Sequence, residues 1–271
     1  MGEGEEAGTR MDEVFEEDSD EDEVVPVASE EEPPTLEEPV PAGNRLPAGL
    51  YVVGTPIGNL GDITLRALEA LKAVHAVLTE DTRHTGILLA RYGIRVHLLS
   101  CHKFNEASRV DEIVSRIHSG QALALVTNAG MPAVSDPGSR VVAGCRRAGC
   151  LVSVLPGPSA VTAAIAMSGL GFGNGFIFEG FLPRKSGGRR RRLEALAAAE
   201  TPVVLYESPF RLMALLAEVG LVFGPDRQLF VGRELTKKFE EGRTGTAAEL
   251  ISAYQGRTVK GELTIVIASR D

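Results

Sequence analysis

The residues with chemistry to offer lie in short polar or glycine-rich runs that each follow an apolar run. Glu80 to Gly86, EDTRHTG, places two acids, an arginine and a histidine together, a density unusual for a connector, although Asp81 or Thr82 would also serve to cap a helix. Cys101 to Glu106, CHKFNE, again mixes His, Lys, Asn and Glu. Gly54 to Asn59, GTPIGN, reads either as a plain tight turn or as one that brings backbone amides close to a ligand, and it has neither G-x-G-x-x-G nor the Gly-Lys-Ser/Thr of a phosphate loop. Thr127 to Ser139, TNAGMPAVSDPGS, and Pro156 to Ala160, PGPSA, hold few acids, bases or nucleophiles. They suggest backbone hydrogen bonds and shape, suited to gripping a large neutral or cationic ligand. PRKSGGRRRR sets Arg184, Lys185, Arg189, Arg190, Arg191 and Arg192 within nine residues, a cation density suited to phosphates or to a solvated helix start.

Such runs need a frame. Strands are expected at Leu50 to Val53, Ala76 to Leu78, His97 to Leu99, Ala122 to Val126 and Val152 to Leu155, alternating with helices at Ile63 to Lys72, Thr85 to Arg91, Glu106 to His118 and Ser139 to Arg147. That alternation predicts a mainly parallel sheet buried on both faces, with ligands beyond the carboxyl ends of its strands. A second, smaller α/β set follows, with strands near Phe176 to Phe181, Val203 to Tyr206, Gln228 to Val231 and Leu263 to Ile267. Its helices are expected near Arg190 to Ala199, Phe210 to Val219 and Ala247 to Tyr254. The division reads as an acidic tail and Pro-rich linker over 1–46, a first α/β domain over 47–168 and a second over 169–271.

Charge separates tail from body. Residues 1–46 carry seventeen acids against Arg10 and Arg45, so of 37 acids and 28 bases the body keeps 20 and 26. The net charge of −9 thus averages −15 in the tail and +6 in the body. The tail has too few large apolar residues to offset ordering entropy and is expected to be disordered, either solubilising or competing with RNA for the body. The three cysteines, Cys101, Cys145 and Cys150, have no paired ligand spacing with the five histidines, so packing thiols in a reducing cytoplasm and no metal are expected. The most apolar stretch, Ala160 to Leu170, is about half the length that spans a bilayer, and no membrane association is expected.

Taken in order, GTPIGNLGDIT, EDTRHTG, NAGMPAVSDPG, LPGPSA, FEGFLPRK, YESPFR, RELTKKFEE and KGE resemble the tetrapyrrole methylase superfamily, and within it the ribosomal RNA small subunit methyltransferase I family. The resemblance covers the chain from about Leu50 onward. It implies two α/β domains of the tetrapyrrole methylase type, usually a homodimer, with S-adenosylmethionine in a cleft between them. By position, cofactor contacts would fall on Pro56, Ile57, Asn128, Ala129, Gly130, Met131, Val134, Ser159, Ala160, Tyr206, Glu207 and Leu235. The implied reaction is 2′-O-methylation of a decoding-site cytidine in 16S rRNA of the small ribosomal subunit. A tetrapyrrole methyltransferase and a catalytically weak RNA-binding homologue are the alternatives.

For that reaction Glu80 or Asp81 is the candidate base, with Arg83, Lys103 or Lys260 orienting phosphate and His84 or His102 as further candidates. Arg184, Lys185 and Arg189 to Arg192 are the candidate RNA contacts. The family loop usually reads Ser/Thr-Asp-Ala-Gly-Thr-Pro. Here Asn128 replaces the acid and Met131 the threonine, which predicts weaker or altered cofactor binding within the same fold.

Overall fold

The computed structural model describes Met1 and residues 46–170 and 175–269. The expected tail lies outside the described residues apart from Met1 and Leu46. The chain divides into two units, 1–38 and 39–271, and the second contains every element that follows.

The first sheet comprises β1 (Gly49–Val53), β2 (Ala76–Thr79), β3 (His97–Ser100), β4 (Ala122–Leu125) and β5 (Val152–Leu155), all parallel in the order β3-β2-β4-β1-β5. Its alternate residues point to opposite faces, and both faces are covered. Tyr51, Val53 and Val77 pack on α1 (Leu65–Ala73) and α2 (Thr82–Arg91), while Leu50, Val52 and Leu78 pack on α3 (Glu106–His118) and α4 (Ser139–Arg147). Two-sided burial is the reason β1, β2 and β4 read as apolar runs. Cys101 and Cys145 belong to the second of these cores, and burial pushes both thiols up to about 11. Desolvation of the thiolate makes them inert packing groups.

The second sheet is mixed, with β6 (Ile177–Phe181), β7 (Val203–Glu207), β8 (Gln228–Arg233), β9 (Glu241–Thr246) and β10 (Leu263–Ile267) in the order β6-β7-β10-β8-β9. Only β6 and β7 are parallel; the other three pairings are antiparallel. One face is covered by α6 (Ser186–Ala198), α7 (Leu212–Phe223) and α8 (Ala247–Tyr254), the other in part by α5 (Ala160–Ser168).

Two elements were not expected from sequence. The α5 segment is apolar nearly all round and so has no 3.6-residue stripe. Its Val161 and Ala164 pack beneath Val204, Phe230 and Val266, so it lies on the second sheet although it follows the last strand of the first. The β9 sequence EGRTGT offers no apolar alternation because it is an edge strand, held by its ladder to β8. Among the described residues no helix is long and apolar enough to cross a membrane.

Side chains also pin β9. Glu241 accepts hydrogen bonds from Arg233 at 3.0 Å, Arg243 at 2.5 Å and Arg257 at 3.0 and 3.2 Å, and these arginines, Arg257 first, hold its carboxyl down at about 2. A depressed folded pKa contributes stability that is present above the unfolded value near 4.5 and lost as pH falls toward 2. The stability difference between the native protein and Glu241→Gln, read from urea unfolding, is therefore expected to be largest above pH 5 and to close as pH approaches 2.

Candidate cofactor cleft and RNA face

Four loops converge where the first sheet's strands end. The loop after β1 and the loop after β4 are joined backbone to backbone: the Thr55 N–H donates to the Gly130 carbonyl at 2.9 Å and the Gly130 N–H returns to Thr55 at 3.0 Å. The Thr55 hydroxyl adds a bond to the Thr127 carbonyl at 3.1 Å. The loop after β5 presses so closely on the first that a Cβ on Gly157 would lie 2.9 Å from the backbone of Gly54. Glycine is required at both positions by this approach.

The long loop from Thr127 to Gly138 is bent by positive φ at Gly130, Ala133, Ser135 and Gly138. Such conformations in non-glycine residues cost free energy and cluster at ligand sites. Glu106, buried at the start of α3, accepts the Gly138 N–H at 2.8 Å and fixes the loop's far end. This is a structural role for an acid in the CHKFNE run.

The second domain adds the facing wall. Glu234 and Thr236 have φ of 51° and 65°, and the turn they make is clamped to Gly261 and Glu262. The Glu234 carboxylate accepts the Glu262 N–H at 2.9 Å, while the Lys237 ammonium bridges Glu234 at 2.9 Å and Glu262 at 2.8 Å. The Lys237 stem lies over Gly58, where any Cβ would collide with it. RELTKK and KGE are thereby tied to each other and to GTPIGN.

Between these walls is a cleft of about 400 Å³, within the range of small-molecule sites. Of the sequence candidates it is lined by Glu80, Ile57, Asn128, Ala129, Gly130, Met131, Val134, Ser159, Ala160, Tyr206, Glu207 and Leu235. Pro56, Asp81, Arg83 and Lys103 are not in its lining. Asp81 instead caps α2, accepting the Arg83 and His84 N–H groups at 2.9 and 3.4 Å. Arg83 is 92% exposed, and the Lys103 ammonium lies 4.8 Å from the centroid of the Phe104 ring. The His102 ring accepts the Phe104 N–H at 3.3 Å, within its own loop.

Sequence reasoning missed Ser135, Asp136, Phe181, Glu262 and Thr264, which also line the cleft. All but Thr264 sit inside motif strings already singled out, but nothing in one dimension says which member of a string points inward.

The cleft is acidic. Burial raises the Asp136 carboxyl, and the charges of Glu80 and Glu262 add to the effect. Burial also pushes the Tyr206 phenol up to about 12, again with Asp136 and Glu262 contributing. Of the buried side-chain oxygens without a hydrogen-bond partner among the described residues, two belong to the cleft lining: Asn128 Oδ1 and Glu207 Oε2. The other Glu207 oxygen is held by Arg211 at 2.5 Å and the Ser208 N–H at 2.6 Å. Unpaired buried acceptors are costly unless a ligand donates to them. Ile57, Val134 and Leu235 supply apolar surface beside them, so the lining fits a cationic, donor-bearing molecule with apolar parts. Among the described residues no cluster of His, Cys, Asp or Glu could hold a metal ion.

The arginine-rich run occupies the first half of α6, and its members diverge. Arg184, Lys185 and Arg191 are exposed. Arg190 pairs with Glu194 at 3.1 Å and Arg192 with Glu179 at 2.5 Å. Arg189 does not face solvent at all: its side chain is 7% exposed and binds Glu218 on α7 through two bonds of 2.6 and 2.7 Å. Successive helix positions step by about 100°, so one of four consecutive arginines turned into the helix packing.

Comparison with known proteins gives this geometry a context. The family described as tetrapyrrole (corrin/porphyrin) methylases matches residues 49–251. Two solved structures share the fold: uroporphyrin-III-C-methyltransferase from Thermus thermophilus (TM-score 0.56, 21% identity, 81% of this chain and 94% of that one) and the methyltransferase CobJ (TM-score 0.63, 17% identity, 82% and 94%). Nearer in sequence, the ribosomal RNA small subunit methyltransferase I of Thermotoga maritima is 45% identical over 222 residues, 82% of this chain and 99% of that protein. Its namesake from Escherichia coli O157:H7 is 42% identical over 220 residues, 80% and 77%. The chain belongs to the tetrapyrrole methylase family and, within it, to the ribosomal RNA small subunit methyltransferase I group.

Proposed function

We propose that this chain is an S-adenosylmethionine-dependent methyltransferase acting on the ribose 2′-oxygen of a decoding-site cytidine in 16S rRNA of the small subunit, in the cytoplasm and as a homodimer. The observation that carries the reading is an acidic cleft with two unpaired buried acceptors, in a chain whose relatives at 42–45% identity are named for ribosomal RNA methylation. When bound, the cofactor supplies a methyl group on a sulfonium centre. Asn128 Oδ1 and Glu207 Oε2 would accept its donors, Ile57, Val134 and Leu235 would cover its apolar parts, and Glu80, Asp136 and Glu262 would favour its positive charge.

Holding the ribose hydroxyl in line with the methyl carbon supplies much of the rate. Glu80 is the group we assign to take the hydroxyl proton: of the bases the sequence offered it alone lines the cleft, beside the carboxylates of Asp136, Glu207 and Glu262, with its Oε2 3.5 Å from Asn128 Nδ2. The division of the body into two domains is part of the same proposal, with the cofactor at the junction; α5, in the first domain by a boundary at 168/169, crosses that boundary to pack on the second sheet.

Labelled S-adenosylmethionine, offered with small subunits lacking the modification and separately with a tetrapyrrole precursor, tests the reading. Label on the 2′-oxygen of the RNA is expected. Label on the macrocycle, or on neither, would replace it with the tetrapyrrole or the binding-protein reading.

The two departures from the family loop give a second test. Asn128→Asp sets a further negative charge beside Glu80, worth about 1 kcal/mol toward a cation several ångströms away. Affinity for the sulfonium cofactor, relative to its neutral thioether product, is expected to rise about fivefold by calorimetry, while Met131→Thr, which restores a hydroxyl and no charge, should raise affinity for both ligands alike. An unchanged ratio would show that residue 128 does not sense the sulfonium.

A further inference from the structure

The five strands of the second sheet bring Phe181, Glu207, Leu263, Arg233 and Glu241 to one end, in neighbouring register. Phe181, Glu207 and Leu263 line the cleft, so the cleft opens at that end. Beyond Phe181, at the β6 edge, come the exposed Arg184 and Lys185. At the opposite, β9 edge lies the cluster of Arg233, Arg243 and Arg257 around Glu241.

That cluster is unbalanced. Each of Arg189, Arg190 and Arg192 in α6 has a carboxylate of its own, whereas here three guanidiniums share one. Glu241 takes one N–H from Arg233, one from Arg243 and two from Arg257, out of about five that each guanidinium carries. Arg243 and Arg257 also flank the Tyr254 ring, at 5.7 and 5.4 Å from its centroid, and that ring is buried in the core. Their side chains remain 41% and 43% exposed, so they are held in place yet open to solvent. Lys260, also exposed, stands next to them: Arg233 donates to its carbonyl at 3.4 Å. Toward the cleft the sign reverses, since Glu234 and Glu262 share Lys237.

We propose that Arg243 and Arg257, with Lys260, form a second phosphate-binding site for the substrate RNA strand, on the far side of the cleft from Arg184 and Lys185. The inference rests on the RNA-methylating reading above. Two cationic edges four strand spacings apart, roughly 19 Å, let one strand cross the acidic cleft with its phosphates held on both sides and a ribose over the opening. Guanidiniums fixed on an aromatic ring lose little freedom on binding, which favours phosphate recognition.

The test uses the full chain. Binding of a single-stranded decoding-region RNA is measured between 50 and 200 mM salt for the native protein, for Arg243→Gln/Arg257→Gln and for Glu241→Gln, alongside cofactor affinity and melting temperature. Loss of two phosphate contacts should lower the slope of log affinity against log salt by about 1.4 and weaken binding at least tenfold at the lower salt, with cofactor affinity unchanged. Glu241→Gln removes the competing carboxylate, so RNA affinity should hold or rise even where the melting temperature falls. A network that is only structural would instead weaken RNA binding in both variants in step with stability. If the double variant melts early, Arg257→Gln alone should lower the slope by about 0.7. Native affinity and slope in the arginine variants, or no RNA binding by the native protein, overturns the site. Arginine-dependent RNA binding without methyl transfer to subunits leaves the site standing and sinks the methyltransferase reading. Transfer that the arginine variants leave untouched does the reverse.

Discussion

Gly157→Ala is expected to abolish most cofactor binding while leaving a folded protein. The new Cβ would sit 2.9 Å from Gly54 Cα and carbonyl carbon, and 3.0 Å from its oxygen, none of which belongs to a flexible side chain. Pro156 and Pro158 on either side stiffen the loop, so the strand ends of β1 and β5 must part. Overpacking of this kind costs about 1–3 kcal/mol. The loop after β1 is bonded to Gly130, so its displacement is passed to Asn128, Ala129 and Met131 on the cleft wall. A shift of about 1 Å in a positioning loop can cost a hundredfold in rate, and a loss of ten- to a hundredfold in cofactor affinity by calorimetry is the expected reading. The melting temperature should fall by a few degrees. Native affinity in the alanine variant would show that the loops can part without disturbing the cleft.

Arg189→Ala should produce the largest loss of stability among the charged residues of the α6 run. It removes one member of a two-bond ion pair between α6 and α7 and leaves Glu218 with an uncompensated charge beside the second domain's core. Breaking such a pair costs about 3 kcal/mol. Urea unfolding should register that loss, and Glu218→Gln should give a smaller one because an amide still accepts from the guanidinium. The salt dependence of RNA binding should not change in either variant that remains folded. Arg191→Ala, two residues along and exposed, is the counterpart. Its stability should stay within about 0.5 kcal/mol of native while the salt slope falls by about 0.7. If instead Arg189→Ala left stability intact and flattened the salt slope, the buried pair would carry no weight and the arginine would belong to the RNA face.

Much of the fold was legible because burial writes itself into sequence. Strands buried on both faces, such as Leu50 to Val53 and Ala122 to Leu125, appear as apolar runs, and α3 and α4 as amphipathic segments with turn residues at their ends. Elements whose residues are nearly all of one kind left no such trace. The helix α5 is apolar on every side and β9 apolar on none, and only packing against the second sheet or pairing with β8 defines them.

The cleft shows the same limit. The apolar runs placed the loops at strand ends, and the family resemblance picked out Asn128 to Met131, Ser159 and Glu207 within them, all of which line the cleft. Spacing could not say that Asp81 would turn back to cap its own helix while its neighbour Glu80 entered the cleft. A local hydrogen bond and a long-range approach begin from the same two residues. Nor could it say which of four consecutive arginines would be buried: residue type determined that the run is cationic, and the phase of α6 against α7 decided that Arg189 meets Glu218. The charge of this protein's polar runs was thus fixed in one dimension. Whether each charge holds the fold together, lines the cleft or faces a phosphate was decided by the tertiary contacts that supply or withhold its partner.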